Sequence, residues 1–199
     1  MKPWKQAVLI GTLGLVGAMA GLGAATLVLG PGAVLGTPVG QWVVRQVLGG
    51  KANLPDGRAV VFPGAAVPPL ALHDLDAQEV SLQAGGQPIL INYWASWCPP
   101  CVEEMPLLDA FARAQPADGV QVIGIALDEV SEVLRFLDER PVSFPIRIEV
   151  AGPNDSSMLL GNARGILPYS VLIDAQGRLQ KARLGAFRPG EVEAWATTP

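Results

Sequence analysis

An α/β sandwich built on a mixed sheet is the fold class that this 199-residue sequence predicts. Three observations predict it. Ile89–Trp94 and Val120–Leu127 are short, continuously apolar runs, the pattern of strands buried on both faces. Between them, Met105, Leu107, Leu108, Phe111 and Ala112 recur with a helical period. Near the end of the chain, Tyr169–Ile173 and Leu179–Leu184 flank Ala175-Gln176-Gly177 as a β-hairpin. Strands alternating with helices and then a closing hairpin imply a central sheet with both parallel and antiparallel pairs, flanked by helices.

The other elements follow in chain order. Leu70–Asp74 and Glu79–Leu82 surround Asp76-Ala77-Gln78 and read as a small hairpin. Ser131 is placed to cap a helix running to Arg140, with Val133, Leu134 and Leu137 inward. Phe144–Val150 reads as another strand, and Ser156–Ala163 as a short helix closed by Gly165. Pro189–Ala196 reads as a last helix, with Pro189 suited to its first turn.

Half of the residues are hydrophobic, and the excess is concentrated before this domain. No charged residue occurs between Lys5 and Arg45, and the apolar run from Ala7 to Leu29 is long enough to cross a membrane as a helix, which takes about 20 residues. Lys2 and Lys5 before it keep the N-terminus cytoplasmic and put the rest of the chain on the other side. A cleaved signal peptide is the rival reading, with Ala18-Met19-Ala20 and Gly23-Ala24-Ala25 as small-residue sites. The run continues past both, which favours an uncleaved anchor. No cysteine follows it, which excludes a lipoprotein anchor. Residues 1–30 are thus expected to anchor the chain, 31–69 to act as a Pro- and Gly-punctuated linker, and 70–199 to form the domain. Gln41–Leu48 fits a short amphipathic piece, at the membrane surface or against the domain. The net charge is −4 and Lys and Arg form no cluster, so nucleic acid is not an expected partner.

The chain has two cysteines, Cys98 and Cys101, after the first buried strand and at the start of the following helix. So short a loop constrains little of the unfolded chain, so a structural role for the pair is poorly motivated. A thiolate is the nucleophile of disulfide exchange, and a helix N-terminus favours negative charge. Cys98 is therefore the expected attacking thiol and the more exposed one. Cys101, one turn on and facing inward, is the expected resolving thiol. Pro99 and Pro100 between them lack N–H groups and limit hydrogen bonding to the sulfurs. Half of a zinc site is the alternative, but zinc needs four ligands, and His73 is the sole histidine. No metal and no cofactor beyond the cysteine pair is expected.

Glu104 follows Cys101 by three residues, which puts both on one helix face. It is either a partly buried proton carrier for the inner thiol or an ordinary first-turn glutamate serving the helix dipole, as Glu103 is free to do. His73 is expected at the surface of its hairpin. Trp94 is expected in the core, with Trp97 over the dithiol. Leu167-Pro168 precedes a strand, and a trans bond is the default for any X-Pro pair.

Asn92-Tyr93-Trp94-Ala95-Ser96-Trp97-Cys98-Pro99-Pro100-Cys101, with Glu104-Met105-Pro106, resembles the TlpA/ResA branch of the thioredoxin superfamily. Gly165-Ile166-Leu167-Pro168, followed by Val171-Leu172-Ile173-Asp174 and Gly177, is similar to that family's cis-proline loop and closing hairpin. The resemblance covers about Leu70 to Trp195. It implies a thioredoxin-like fold, with an N-terminal transmembrane helix placing the domain in the periplasm or outside the cytoplasmic membrane. It implies a thiol:disulfide oxidoreductase whose catalytic residues are Cys98, Cys101 and Glu104, and whose substrates meet Trp97, Pro99, Pro100, Leu167 and a cis Pro168. Asn92 stands where thioredoxins proper carry a buried aspartate, which shifts weight to Glu104. Tyr169 departs from the small hydroxyl residue common after the proline, which bears on substrate preference. The implied partners are disulfide-bearing proteins, in cytochrome c or metalloprotein maturation, and a membrane thiol electron donor. A disulfide oxidase or isomerase using the same dithiol, or a non-catalytic tethered binding or metallochaperone module, are the alternatives.

Overall fold

The structure is a computed structural model that describes residues 53–83 and 85–197. Among the described residues the strands are β1 (Leu70–His73), β2 (Glu79–Leu82), β3 (Ile89–Trp94), β4 (Gln121–Ala126), β5 (Ile146–Ile148), β6 (Tyr169–Ile173) and β7 (Leu179–Leu184). The helices are α1 (Pro99–Ala114), α2 (Val130–Glu139), α3 (Ser156–Leu159) and α4 (Glu191–Thr197). One sheet runs in the order β2-β1-β5-β4-β3-β6-β7. β3 pairs in parallel with β4 and antiparallel with β6, so the mixed sheet expected from the sequence is present.

β3 is buried at all six positions, which is why its sequence shows no polar alternation. The period of two still sorts its side chains. Leu90 and Trp94, with Val122, Ala126 and Leu172, pack under Met105, Leu108 and Phe111 of α1, Val133 and Phe136 of α2 and Val192 of α4. Ile89, Ile91 and Tyr93, with Ile123, Ile125, Val171 and Ile173, face the other way, against Leu159, Leu160, Leu54 and Val61.

Several expected boundaries move. β5 is confined to Ile146–Ile148 because Pro145 has no N–H for a ladder, although Phe144 is still buried. Glu129, not Ser131, caps α2, and its carbonyl accepts from the N–H groups of Glu132 and Val133. Val133 and Phe136 form the buried stripe, whereas Leu134, about 100° round the helix from Val133, is 45% exposed. α3 stops at Leu159, with Asp155 as its cap, and the chain turns at Gly161, where φ is +103°. α4 starts at Glu191 rather than Pro189, because Gly190 between them has φ +80°, outside the helical region.

The largest shift is at the start of the domain. Residues 53–69, expected to be linker, belong to the compact unit that begins at Asn53. Leu54 and Val61 are buried, and Val61, Gly64 and Val67 donate backbone hydrogen bonds to Leu159, Leu179 and Gly177. Prolines and glycines there mark the bends of a strap across the second sheet face. The expected anchor, the linker up to Ala52 and the amphipathic piece at 41–48 lie outside the described residues. No helix among the described residues is long and apolar enough to cross a membrane.

A chain beginning at Asn53 should fold, whereas one beginning at Leu70 should lose about 3 kcal/mol or more of unfolding free energy, since two buried aliphatic side chains are removed. Urea denaturation of the two chains checks this, and equal midpoints would contradict the assignment of the strap to the domain.

Candidate active site

β3 ends at Trp94, and the chain reaches α1 through Ala95-Ser96-Trp97-Cys98. Asp128, just beyond β4, fixes this loop. Its Oδ2 accepts from the Ser96 N–H at 2.8 Å and from the Ser96 hydroxyl at 2.6 Å. The Leu127 N–H donates to the Trp94 carbonyl at 2.9 Å, so strand pairing continues to the edge of the loop. Cys98 is the N-cap of α1, with Pro99 and Pro100 in the first helical positions. Proline is favoured there because its fixed φ is helical and its missing N–H costs nothing.

The donors of this helix end are accounted for. The Cys98 N–H bonds to the Ala95 carbonyl at 3.2 Å, while the Cys101 and Val102 N–H groups both bond to the Cys98 carbonyl, at 3.0 and 3.1 Å. Two prolines contribute none. A thiolate at Cys98 would therefore draw on the helix dipole and its surroundings, with no first-turn N–H left over for it. Cys98 and Cys101 form a disulfide with Cα atoms 5.3 Å apart. Cys98 retains 5% exposure and Cys101 none, so the order of accessibility is the one expected.

Trp97 is 67% exposed. Its indole stands between two surface grooves, one reaching His73 and Val150, the other reaching Leu167 and Met158. Pro99 and Pro100 are exposed beside it. The Leu167–Pro168 peptide bond is cis, as the resemblance implied and against the default for an isolated X-Pro pair. The Pro168 carbonyl accepts from the Gly185 N–H at 2.9 Å, which ties this loop to the end of β7. Trp97 and Leu167 thus line one groove. Trp94 is fully buried, and His73 is exposed at the end of β1.

Glu104 has no exposed surface. The dipole-serving surface glutamate is therefore ruled out. Its Oε1 accepts from Asn92 Nδ2 at 2.8 Å, and its Oε2 accepts from the Phe187 N–H at 2.7 Å. Asn92 Nδ2 also donates to the Ser170 hydroxyl at 3.0 Å, across the β3–β6 pair in which the two residues are directly opposed. Burial pushes the Glu104 carboxyl up to about 6, and the Phe187 N–H, the Asn92 amide and the positive charge of Arg183 hold it from rising further. A carboxyl in that range both takes and gives a proton near neutral pH.

Cys98, Cys101, Glu104 and Trp97, the residues that the sequence singled out, lie in α1 and the loop before it, whereas nothing in the sequence pointed to Asp128, Ser170 and Phe187. Asp128 and Ser170 carry no local signature, since each acquires its partner through strand neighbours far apart in sequence. Phe187 contributes a backbone N–H, which no side-chain pattern encodes. Among the described residues no group of three or more His, Cys, Asp or Glu side chains is assembled to hold a metal ion.

Comparison with known proteins agrees with this geometry. A family model described as Redoxin matches residues 62–197. The chain is 30% identical over 140 residues to the thiol-disulfide oxidoreductase ResA of Halalkalibacterium halodurans, covering 68% of this chain and 76% of that protein. It is 28% identical over 148 residues to sporulation thiol-disulfide oxidoreductase A of Bacillus subtilis, covering 67% of this chain and 87% of that one. Among solved structures, a Chlorobium tepidum protein assigned as a thiol:disulfide interchange protein of DsbE type superposes with a TM-score of 0.58 at 28% identity, over 68% of this chain and 93% of its own.

The raised Glu104 carboxyl has a consequence for stability. Its folded value of about 6 exceeds the ordinary 4.5, so between these values the native state holds a proton that the unfolded chain has released. Stability from this group is therefore full below about pH 4.5, falls as pH rises, and above pH 6 is lower by about 2 kcal/mol. Unfolding free energies of the oxidised wild type and Glu104→Gln at about pH 4 and pH 7.5 should differ by an amount that moves about 2 kcal/mol in the variant's favour. A difference independent of pH would show that the carboxyl titrates normally.

Proposed function

This chain belongs to the Redoxin family and is a ResA-like thiol-disulfide oxidoreductase, and on that premise we propose that it is a membrane-anchored, extracytoplasmic disulfide reductase of protein substrates. The observation that carries the reading is the pairing of a dithiol at the start of α1 with a buried carboxyl three residues past the inner cysteine, its hydrogen bonds supplied by β3 and the turn before α4.

The chemistry starts from the reduced dithiol. The Cys98 thiolate attacks one sulfur of a substrate disulfide, and the other substrate sulfur leaves as a thiolate. Glu104 accepts the proton of the Cys101 thiol. The Cys101 thiolate then attacks the Cys98 sulfur, closing the Cys98–Cys101 disulfide and releasing the second substrate thiolate. Two electrons pass to the substrate, and the proton held by Glu104 leaves to a departing thiolate or to solvent. A membrane thiol donor restores the dithiol by the same exchange in reverse. Trp97, Pro99 and Pro100 offer the substrate an exposed apolar rim beside Cys98, and Leu167 and Pro168 offer the backbone of an extended edge. No prosthetic group takes part.

The apolar run of residues 7–29, preceded by Lys2 and Lys5, supports a single-pass anchor with the domain outside the cytoplasmic membrane. Substrates in cytochrome c or metalloprotein maturation are consistent with the resemblance to ResA.

Redox equilibration of the isolated dithiol against glutathione or thioredoxin should give a potential below about −200 mV, whereas a value near −120 mV, typical of a strong disulfide-forming oxidant, would overturn the reductase assignment. In membranes, Cys101→Ala should accumulate mixed disulfides through Cys98 that mass spectrometry identifies, and Cys98→Ser should reduce exchange to background. A Cys98→Ser chain that fully replaces the wild type in a deletion strain would leave only a tethered binding role.

A further inference from the structure

Ser170 of β6 lies opposite Asn92 of β3 on one side and opposite Arg183 of β7 on the other. A polar row, Asn92–Ser170–Arg183, therefore crosses three adjacent strands on the sheet face that α1 covers. Its first member donates directly to Glu104. Its last, Arg183, makes no hydrogen bond to that carboxylate but makes three contacts with the segment that does. Arg183 Nη2 donates to the Ala186 carbonyl at 3.2 Å and to Glu191 Oε2 at 2.6 Å, and the guanidinium lies 4.7 Å from the centre of the Phe187 ring. Phe187 is the residue whose N–H meets Glu104 Oε2 at 2.7 Å. Glu191 Oε2 accepts from the Arg188 N–H at 3.0 Å as well, so the residues on both sides of Phe187 are tied to one ion pair.

We propose that Arg183 is a positioning residue for Glu104, holding the turn at 186–188 so that the Phe187 amide stays on the carboxylate. The planar fork suits the task. One nitrogen, Nη2, bonds both a carbonyl and a carboxylate while the planar, delocalised guanidinium lies over the Phe187 ring, whereas a lysine ammonium is a more strongly hydrated point charge without that plane. The amide it holds is one of two hydrogen bonds to a carboxyl removed from water, so its loss favours the protonated acid. This inference rests on the assignment of Glu104 as proton carrier only for its catalytic meaning; the positioning itself is a property of the resting protein.

The charged groups on the elements packed around Glu104 define what else could move its titration. β7 carries Lys181, next to the Trp195 ring, besides Arg183. α4 carries Glu191 and Glu193, the turn carries Arg188, α1 carries Glu103, and the two cysteines titrate once reduced. β3 and β6 contribute Tyr93 and Tyr169, which belong to the opposite face. Arg183 is the one of these charges that acts on Glu104 directly, and it favours the ionised form.

The test uses the oxidised protein, where the cysteines do not titrate. Carbon-13 NMR of the Glu104 carboxyl reads its midpoint, and hydrogen exchange reads the Phe187 amide. Arg183→Met keeps an apolar stem over the ring but removes fork and charge. It should raise the midpoint by roughly half a unit or more and speed Phe187 exchange about tenfold. Arg183→Lys keeps the charge and should still speed that exchange. If Arg183→Met does not fold, Glu191→Ala takes its place: it frees the fork, should speed Phe187 exchange, and leaves Glu104 and its partners in place. Unchanged Phe187 exchange in the folded variants overturns the proposal, as does an Arg183→Lys protein indistinguishable from wild type, which would reduce the effect to charge. If these shifts appear while the pH profile of disulfide exchange stays fixed, positioning stands and the proton-carrier reading of Glu104 fails instead.

Discussion

Glu104 places a carboxylate in the layer between α1 and the sheet, where an unpartnered charge would cost several kcal/mol. Much of the surrounding arrangement follows from meeting that demand. β3 must carry an amide between the apolar Leu90 and Trp94 on the same face, and β6 must place a hydroxyl beside that amide. The turn after β7 must point a backbone N–H inward. Two segments, β3 and the turn after β7, thus converge on one side chain of α1, and β6 braces the first of them. Even so the charge is incompletely compensated, and the carboxyl stays poised near neutral pH.

The dithiol end of α1 is built on a different economy. The two prolines start the helix without needing acceptors for N–H groups, and the Cys98 carbonyl takes up the next two donors. The loop that presents Cys98 is held from outside the helix, by Asp128 on Ser96. Rigid support from β3 and β4 therefore reaches the sulfur through one carboxylate bridge. The Gly185 N–H bond to the Pro168 carbonyl gives the neighbouring loop comparable support from β7. The same end of β7 thus borders the Leu167–Pro168 loop and leads into the turn whose Phe187 N–H meets Glu104.

Both sheet faces have to be closed for this support to be stiff. α1, α2 and α4 close one; α3 and the strap at 53–69 close the other. Gly124 shows how tight the first face is. It lies opposite Asn92, and a Cβ there would come within 2.6 Å of Ile146 Cδ1 and 3.1 Å of Trp94 Nε1. The residue that gives Asn92 its neighbour in the ladder is small because the aromatic and aliphatic side chains around it leave no room.

The class of fold, the strand order along the chain, the dithiol, and the glutamate that shares a face with the inner cysteine are all legible in the amino-acid pattern. These are properties of local period and spacing, and hydrophobic burial enforces them wherever the chain packs. The same pattern also indicated an apolar N-terminal run, which lies outside the described residues. That Glu104 is buried rather than serving a helix end emerges with packing alone, since periodicity reports a face and not the depth of what covers it. Packing likewise brought Asp128 to Ser96 and set Asn92, Ser170 and Arg183 side by side, because sheet register joins residues that the chain keeps far apart. The strap at 53–69 was illegible for the same reason: its prolines and glycines look like a linker until the sheet face that they bend across is in place. The Phe187 amide was hidden most completely, because a backbone N–H is common to nearly every residue and only the path of the chain makes one of them specific.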